Sequence, residues 1–183
     1  MKVLVPMAQG CEELEIVTII DLLRRAKFNV VTAGLEQEKI EVVASRGVIL
    51  TPDMCLDSAL EREYDALVLP GGLPGSDHLN DDSRIITLVR TMVEAGRWVA
   101  AICAAPRVLA KAGVLEGRRA TSYPGTLDVM DIPGMGYASD SVVIDGNIIT
   151  SRGPGTAMEF ALALIELMAD RATREQVEGP LLR

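Results

Sequence analysis

The residue whose type and position most directly suggest chemistry is Cys103, in Ala100-Ala101-Ile102-Cys103-Ala104-Ala105-Pro106. A wholly apolar run ends at this cysteine and a helical pattern follows at once. Ala101 and Ala105, two before and two after it, are small enough for a tight strand-to-helix turn. That is the logic of a nucleophile elbow, with Cys in place of Ser. The starting helix offers unpaired N–H groups and a positive dipole end, which predict a lowered thiol pKa. The same residues also suit a buried cysteine that acts as a small hydrophobe. The second candidate is Glu15. At 100° per residue, Glu15, Ile19, Leu22 and Ala26 share one helical stripe, with Ile16 and Leu23 beside it. A carboxyl on that apolar side has a raised pKa and keeps its proton near neutrality. Protonated, it donates a hydrogen bond to a thiolate or an oxidised sulfur; ionised, it repels one. Glu13 points away from the stripe and Glu12 lies in the first turn. Both read as solvated acids favoured by the helix dipole.

Other loops carry weaker signals. In Leu69-Pro70-Gly71-Gly72, two glycines after an apolar run let backbone approach a ligand closely. The N–H groups of Gly72 and Ala104 are candidates for an oxyanion hole, although a plain strand-ending turn has the same composition. Ser151-Arg152-Gly153-Pro154-Gly155-Thr156 fits an anion site at a helix start, but reads better as a turn with Pro in the first helical turn. His78, in Ser76-Asp77-His78-Leu79, reads as a surface residue. Cys11 stands just before the first helix, on the side of Cys103, and Cys55 looks structural or peripheral. There is no P-loop and no dinucleotide fingerprint.

These residues must be positioned by alternating strands and helices. Strands are predicted at Lys2 to Val5, Asn29 to Ala33, Ala66 to Leu69, Trp98 to Ile102, Val142 to Ile144 and Ile148 to Ser151. Helices are predicted at Glu12 to Ala26, Ser83 to Ala95, Ala104 to Ala112 and Pro154 to Ala169. Val42 to Ala44 and Val48 to Leu50 flank Ser45-Arg46-Gly47 as a hairpin. Continuous apolar strands alternating with helices define an α/β fold with a mostly parallel sheet covered on both faces. Ligands bind beyond the carboxyl ends of such strands, here the loops after Val5, Leu69 and Ile102. The last helix is apolar all round except for Glu159, Ala163, Glu166 and Asp170. That breadth fits subunit packing or deep burial within one chain.

Composition narrows the function. The 183 residues suit one domain, 1–183. Hydrophobic residues make up 49%, which excludes disorder. A formal charge of −8 with 3% aromatics argues against nucleic-acid binding. One His and three scattered Cys give no metal-ligand pair. No apolar stretch has the length of a membrane span or the pattern of a signal peptide, so a cytoplasmic location with free thiols is expected.

Taken together, Ala8-Gln9-Gly10-Cys11-Glu12-Glu13-Leu14-Glu15, Leu69-Pro70-Gly71-Gly72, Ala100 to Pro106 and Thr150 to Thr156 resemble the ThiJ/PfpI superfamily, in its DJ-one/YajL branch. The resemblance covers essentially the whole chain. It implies a flavodoxin-like sandwich, a homodimer and no cofactor. It implies that Cys103 is the reactive, oxidisable cysteine and Glu15 the buried acid beside it. It further implies that Gly72 and Ala104 supply backbone donors and that Arg46 reaches the partner subunit's site. Tyr123 stands where the DJ-one branch places a histidine, and Ala104 where the protease-like branch has one, so proteolysis is disfavoured. The activity implied is protection against carbonyl stress, acting on methylglyoxal or glycated adducts as a glyoxalase or deglycase. The alternative is a redox-sensing chaperone in which Cys103 stops at the sulfinate.

Overall fold

The computed structural model describes residues 1–37 and 41–182. In chain order the elements are β1 (Lys2–Met7), α1 (Glu13–Arg25), β2 (Asn29–Gly34), β3 (Val42–Val43), β4 (Ile49–Leu50), β5 (Met54–Cys55), α2 (Leu56–Leu60), β6 (Ala66–Leu69), α3 (Gly75–Asp81), α4 (Ser83–Glu94), β7 (Trp98–Ile102), α5 (Pro106–Lys111), β8 (Arg119–Ala120), β9 (Gly136–Tyr137), β10 (Val142–Asp145), β11 (Ile148–Ser151), α6 (Ala157–Met168) and α7 (Arg171–Glu178). A seven-stranded sheet runs β10-β11-β7-β6-β1-β2-β5. Every pairing in it is parallel except β10 with β11 at one edge. This is the mostly parallel α/β architecture that the alternating pattern predicts.

The central strands look uniformly apolar because both of their faces are buried. Val3, Val5 and Met7 of β1 join Val68 of β6 and Ala100 and Ile102 of β7 in a core covered by α1, α6 and α7. Leu4, Leu67, Leu69, Val99 and Ala101 point the other way, into a core covered by α2, α3, α4 and α5. After β1 the chain winds towards β2 and β5; it then returns to lay β6 on the opposite side of β1. The strand order therefore reverses between β1 and β6, and a crevice opens at their carboxyl ends.

Three expectations change. First, α5 begins at Pro106, two residues later than the apolar pattern suggests. Proline fits the first helical position, and the left-handed backbone of Cys103 cannot belong to a helix. Second, α6 is buried within its own chain: Phe160, Ala161, Leu162, Leu164 and Ile165 are fully enclosed. The C-terminal helix α7, too polar to be read from the sequence, lies over it and adds Val177 to the core. The breadth of apolar surface on α6 is thus explained without a second subunit. Third, exposed apolar side chains gather elsewhere, at Leu14 and Val17 on α1 and at Val48 and Ile49 on the hairpin. No helix among the described residues is long and apolar enough to cross a membrane.

Phe160 is the largest fully buried side chain. Replacing it with Ala should lower unfolding free energy by about 3–5 kcal/mol, measurable by urea denaturation.

Candidate active site

Cys103 sits at the carboxyl end of β7 with φ +64, a left-handed backbone that costs a non-glycine residue about 1–3 kcal/mol. Hydrogen bonds on both sides hold it there. Its N–H donates to Ser151 O at 3.0 Å, and its C=O accepts from Tyr123 N–H at 2.8 Å. The turn thus continues the β7–β11 pairing, in which Ile102 faces Ser151. Ala104 and Ala105 complete the elbow before α5 starts. The backbone N–H groups of Gly72 and Ala104 lie near enough to the sulfur to favour its charged form.

Glu15 points from α1 into the core and is fully buried. Its Oε2 accepts the Gly71 N–H at 2.8 Å. Its Oε1 has no conventional hydrogen-bond partner among the described residues, and the thiol of Cys103 is the polar group that the carboxyl faces. An orphaned, ionised oxygen at such a depth is costly; a protonated one can aim its O–H at the sulfur. Burial, the largest cause, accordingly pushes the Glu15 carboxyl up to about 7, opposed by its bonds to Gly71 and Cys103.

The thiol departs from the expectation drawn from the helix dipole. Burial first, then the charge of Glu15 and the hydrogen bond to it, push Cys103 up to about 12. Only the N–H groups of Gly72 and Ala104 pull the other way. Two of the three opposing causes depend on an ionised Glu15. They vanish when the carboxyl holds the proton, so the thiolate is favoured with Glu15 protonated.

Glycine is required twice in the loop after β6. A Cβ on Gly71 would lie 2.5 Å from Cys103 Cβ and 2.6 Å from Glu15 Oε2. Gly72 has φ +91, and a Cβ there would lie 2.3 Å from the Glu12 backbone nitrogen. Gly71 is the residue that sequence reasoning undervalued. Its N–H binds Glu15 and its C=O accepts the Glu12 N–H at 3.0 Å, so the two peptides that flank Gly71 both tie the loop after β6 to the start of α1.

A cleft of about 450 Å³ opens over the sulfur, lined among others by Glu12, Arg46, Gly72, Ala104 and Tyr123. The structure therefore brings together all six site residues singled out from the sequence. Glu12 and Glu13 are not simply solvated, as the helix-start pattern suggests. Ser45 Oγ lies 2.9 Å from a carboxyl oxygen of each, and the Arg46 N–H donates to Glu13 at 2.8 Å. These bonds tie the β3–β4 hairpin to α1 and put Arg46 at the cleft of its own chain. Tyr123 is exposed, and its ring lies against Gly153. The Gly153 segment is a turn, closed by a 3.1 Å bond from Gly153 N–H to Thr156 Oγ1. Cys11 is fully buried and absent from the cleft wall, and burial pushes its thiol up to about 12. His78 is exposed on α3 and lines a different cleft, with Glu36 and Asp81. Cys55 lies at the far sheet edge, 3.3 Å from Ser58 Oγ.

A parallel α/β sandwich with a strained cysteine elbow, a buried carboxyl and paired backbone donors defines a class of cysteine-centred α/β proteins. A family profile for the DJ-1/PfpI family matches residues 1–167, and the chain belongs to that family. Drosophila melanogaster Protein dj-1beta is 43% identical over 98% of this chain and 95% of its own. The crystal structure of Drosophila DJ-1beta covers 99% of this chain and 97% of that one, with a TM-score of 0.93 and 42% identity. The Caenorhabditis elegans Glutathione-independent glyoxalase DJR-1.2 is 36% identical over 94% of this chain and 91% of its own. Arabidopsis thaliana Protein DJ-1 homolog B, 43% identical, is longer, and the chain spans 37% of it.

Glu15 rises from an ordinary 4.5 to about 7 on folding. Between those values the native state holds a proton that the unfolded chain has lost. Stability contributed by the protonated carboxyl is therefore complete below pH 4.5 and is lost as pH rises through 7, by on the order of 3 kcal/mol. Urea titrations across this window should show the slope in wild type and a flattened one in Glu15→Gln.

Proposed function

We propose that this protein protects against carbonyl stress as a cofactor-independent glyoxalase, with Cys103 as nucleophile and Glu15 as proton carrier. The observation that carries the reading is the left-handed cysteine elbow set across Gly71 from a fully buried carboxyl, one oxygen of which has no partner among the described residues. The relative named a glutathione-independent glyoxalase supports it. The absence of any candidate histidine at the cleft wall fits proton transfer by the carboxyl rather than a Cys-His pair.

The chemistry closes without an external oxidant. The Cys103 thiolate forms a C–S bond to the aldehyde carbon of a 2-oxoaldehyde such as methylglyoxal. The carbonyl electron pair moves to oxygen, which takes the Glu15 proton and forms a hemithioacetal. Glu15, now ionised, removes the C–H proton from that carbon, and the electrons pass to the adjacent ketone as an enediolate. The proton returns at the neighbouring carbon while the hydroxyl proton of the first carbon passes to the former ketone oxygen, which leaves a 2-hydroxy thioester: one carbon is oxidised and the other reduced. Water hydrolyses the thioester to a 2-hydroxy acid, and the released thiolate and the proton return to Cys103 and Glu15. The N–H groups of Gly72 and Ala104, which hold the sulfur at rest, also stand where oxygen charge develops.

In the same reading the protein works as a cytoplasmic homodimer. The exposed apolar residues Leu14, Val17, Val48 and Ile49 favour a second copy as their cover, and Arg46 on the same hairpin then stands at the subunit boundary. Light scattering should give twice 19.6 kDa, and Val17→Asp should shift the species to one subunit; a wild-type monomer removes the dimer. For the chemistry, Cys103→Ala should abolish methylglyoxal consumption, followed at a fixed substrate concentration. Glu15→Gln should slow it by roughly 100- to 10,000-fold. Turnover near wild type in either variant refutes the mechanism.

A further inference from the structure

The cleft over Cys103 does not end at the reacting centre. Leu73, Ala104, Gly125 and Thr126 line it, and the same four residues line a second hollow of about 540 Å³. The two hollows therefore lie side by side along a shared wall. The second hollow has Val129 and Met130 on one wall and Ala110 of α5 on another. None of the β3–β4 hairpin lines it, so it runs away from Arg46. Leu73, Val129 and Met130 are 58%, 73% and 40% exposed, an apolar lining left facing solvent. Asn80, Arg107 and Lys111 also line it, and both cations have partners on α3: Arg107 pairs with Asp77, and Lys111 lies 3.2 Å from Asp81. An anionic tail would have to displace those carboxylates. What the groove offers a ligand is apolar contact that begins at the wall of the reactive cleft.

We infer that this groove is a subsite for the tail of the substrate, and that the preferred substrates are 2-oxoaldehydes bearing an extended uncharged alkyl chain rather than methylglyoxal itself. The inference rests on the glyoxalase reading and deepens it. A three-carbon dicarbonyl leaves most of the groove empty, whereas hollows of this combined size enclose much larger ligands. With the aldehyde carbon at the Cys103 sulfur, a chain on the adjacent ketone leaves past Leu73 and Ala104 and lies along Val129 and Met130. The groove is open on one side, so each added methylene loses roughly half of the water contact it would lose in a closed pocket. That corresponds to about a twofold gain in kcat/KM per methylene. Upstream, the supplying reaction must release a 2-oxoaldehyde with its alkyl chain intact; downstream, the product is a long-chain 2-hydroxy acid.

The test compares kcat/KM for methylglyoxal with that for hexylglyoxal in wild type and in Val129→Asp/Met130→Glu. Neither substituted residue touches Cys103 or Glu15. Wild type should favour hexylglyoxal by about tenfold or more, and the double variant should lose that preference while retaining its methylglyoxal rate. A second measurement does not depend on turnover. Iodoacetamide and N-hexyl iodoacetamide alkylate Cys103, the sulfur displacing iodide, and the mass of the peptide that carries Cys103 follows each rate apart from labelling at Cys55. The hexyl reagent should react faster in wild type, and that advantage should disappear in the double variant. If methylglyoxal turns over but chain length makes no difference in either measurement, the subsite is overturned and the glyoxalase reading stands. If no glyoxal turns over but the hexyl reagent keeps its advantage, the glyoxalase reading falls and the groove stands as a tail-binding site. Equal preference in wild type and double variant overturns the assignment to Val129 and Met130.

Discussion

Gly71, bonded through both its N–H and its C=O, is the constraint on which the site depends. Its N–H bonds the buried carboxyl of Glu15, and its C=O takes the N–H of Glu12. Two hydrogen bonds from one residue thus fix the first turn of α1 against the loop after β6. Only the missing Cβ allows Glu15 and Cys103 to approach across it. The arrangement sits where the strand order reverses, the one place in this sheet where loops from β1, β6 and β7 converge.

Burial gives this site its chemistry and also makes it costly. An ionised carboxyl and a thiolate cannot both be accommodated in so dry a place, so the pair shares charge through a proton. The backbone donors of Gly72 and Ala104 favour charge on sulfur without adding a titrating group, against the larger effect of burial. The left-handed turn at Cys103 is unfavourable by itself, and the sheet register through Ser151 and the bond from Tyr123 hold it in place. Stability spent at the elbow is recovered in two aliphatic cores that clamp the sheet from both faces.

The hairpin plays a different part. It is a short two-stranded piece apart from the main sheet, and its position comes from Ser45 and Arg46 bonding the acids at the start of α1. Those acids are therefore structural anchors for a cleft wall as well as favourable charges at a helix N-terminus. Away from the hairpin the cleft adjoins a second hollow in which exposed Leu73, Val129 and Met130 stand beside cations paired with α3. Charge at one end and apolar surface at the other give the cleft a direction.

By itself the sequence determined the alternating architecture, because continuous apolar runs and period-3.6 patterns of apolar residues are local properties. It also determined the inward direction of Glu15 and the elbow at Cys103, which follow from helical spacing and from small neighbours at Ala101 and Ala105. The polar α7 escaped notice because its place depends on covering α6, not on its own hydrophobicity. The anchoring role of Glu12 and Glu13 and the double use of Gly71 link residues more than thirty positions apart, which no local pattern records. The sign of the Cys103 shift was decided only by tertiary structure: a helix dipole is visible in a sequence, whereas the depth of burial and the nearness of a second acid exist only once the chain is folded.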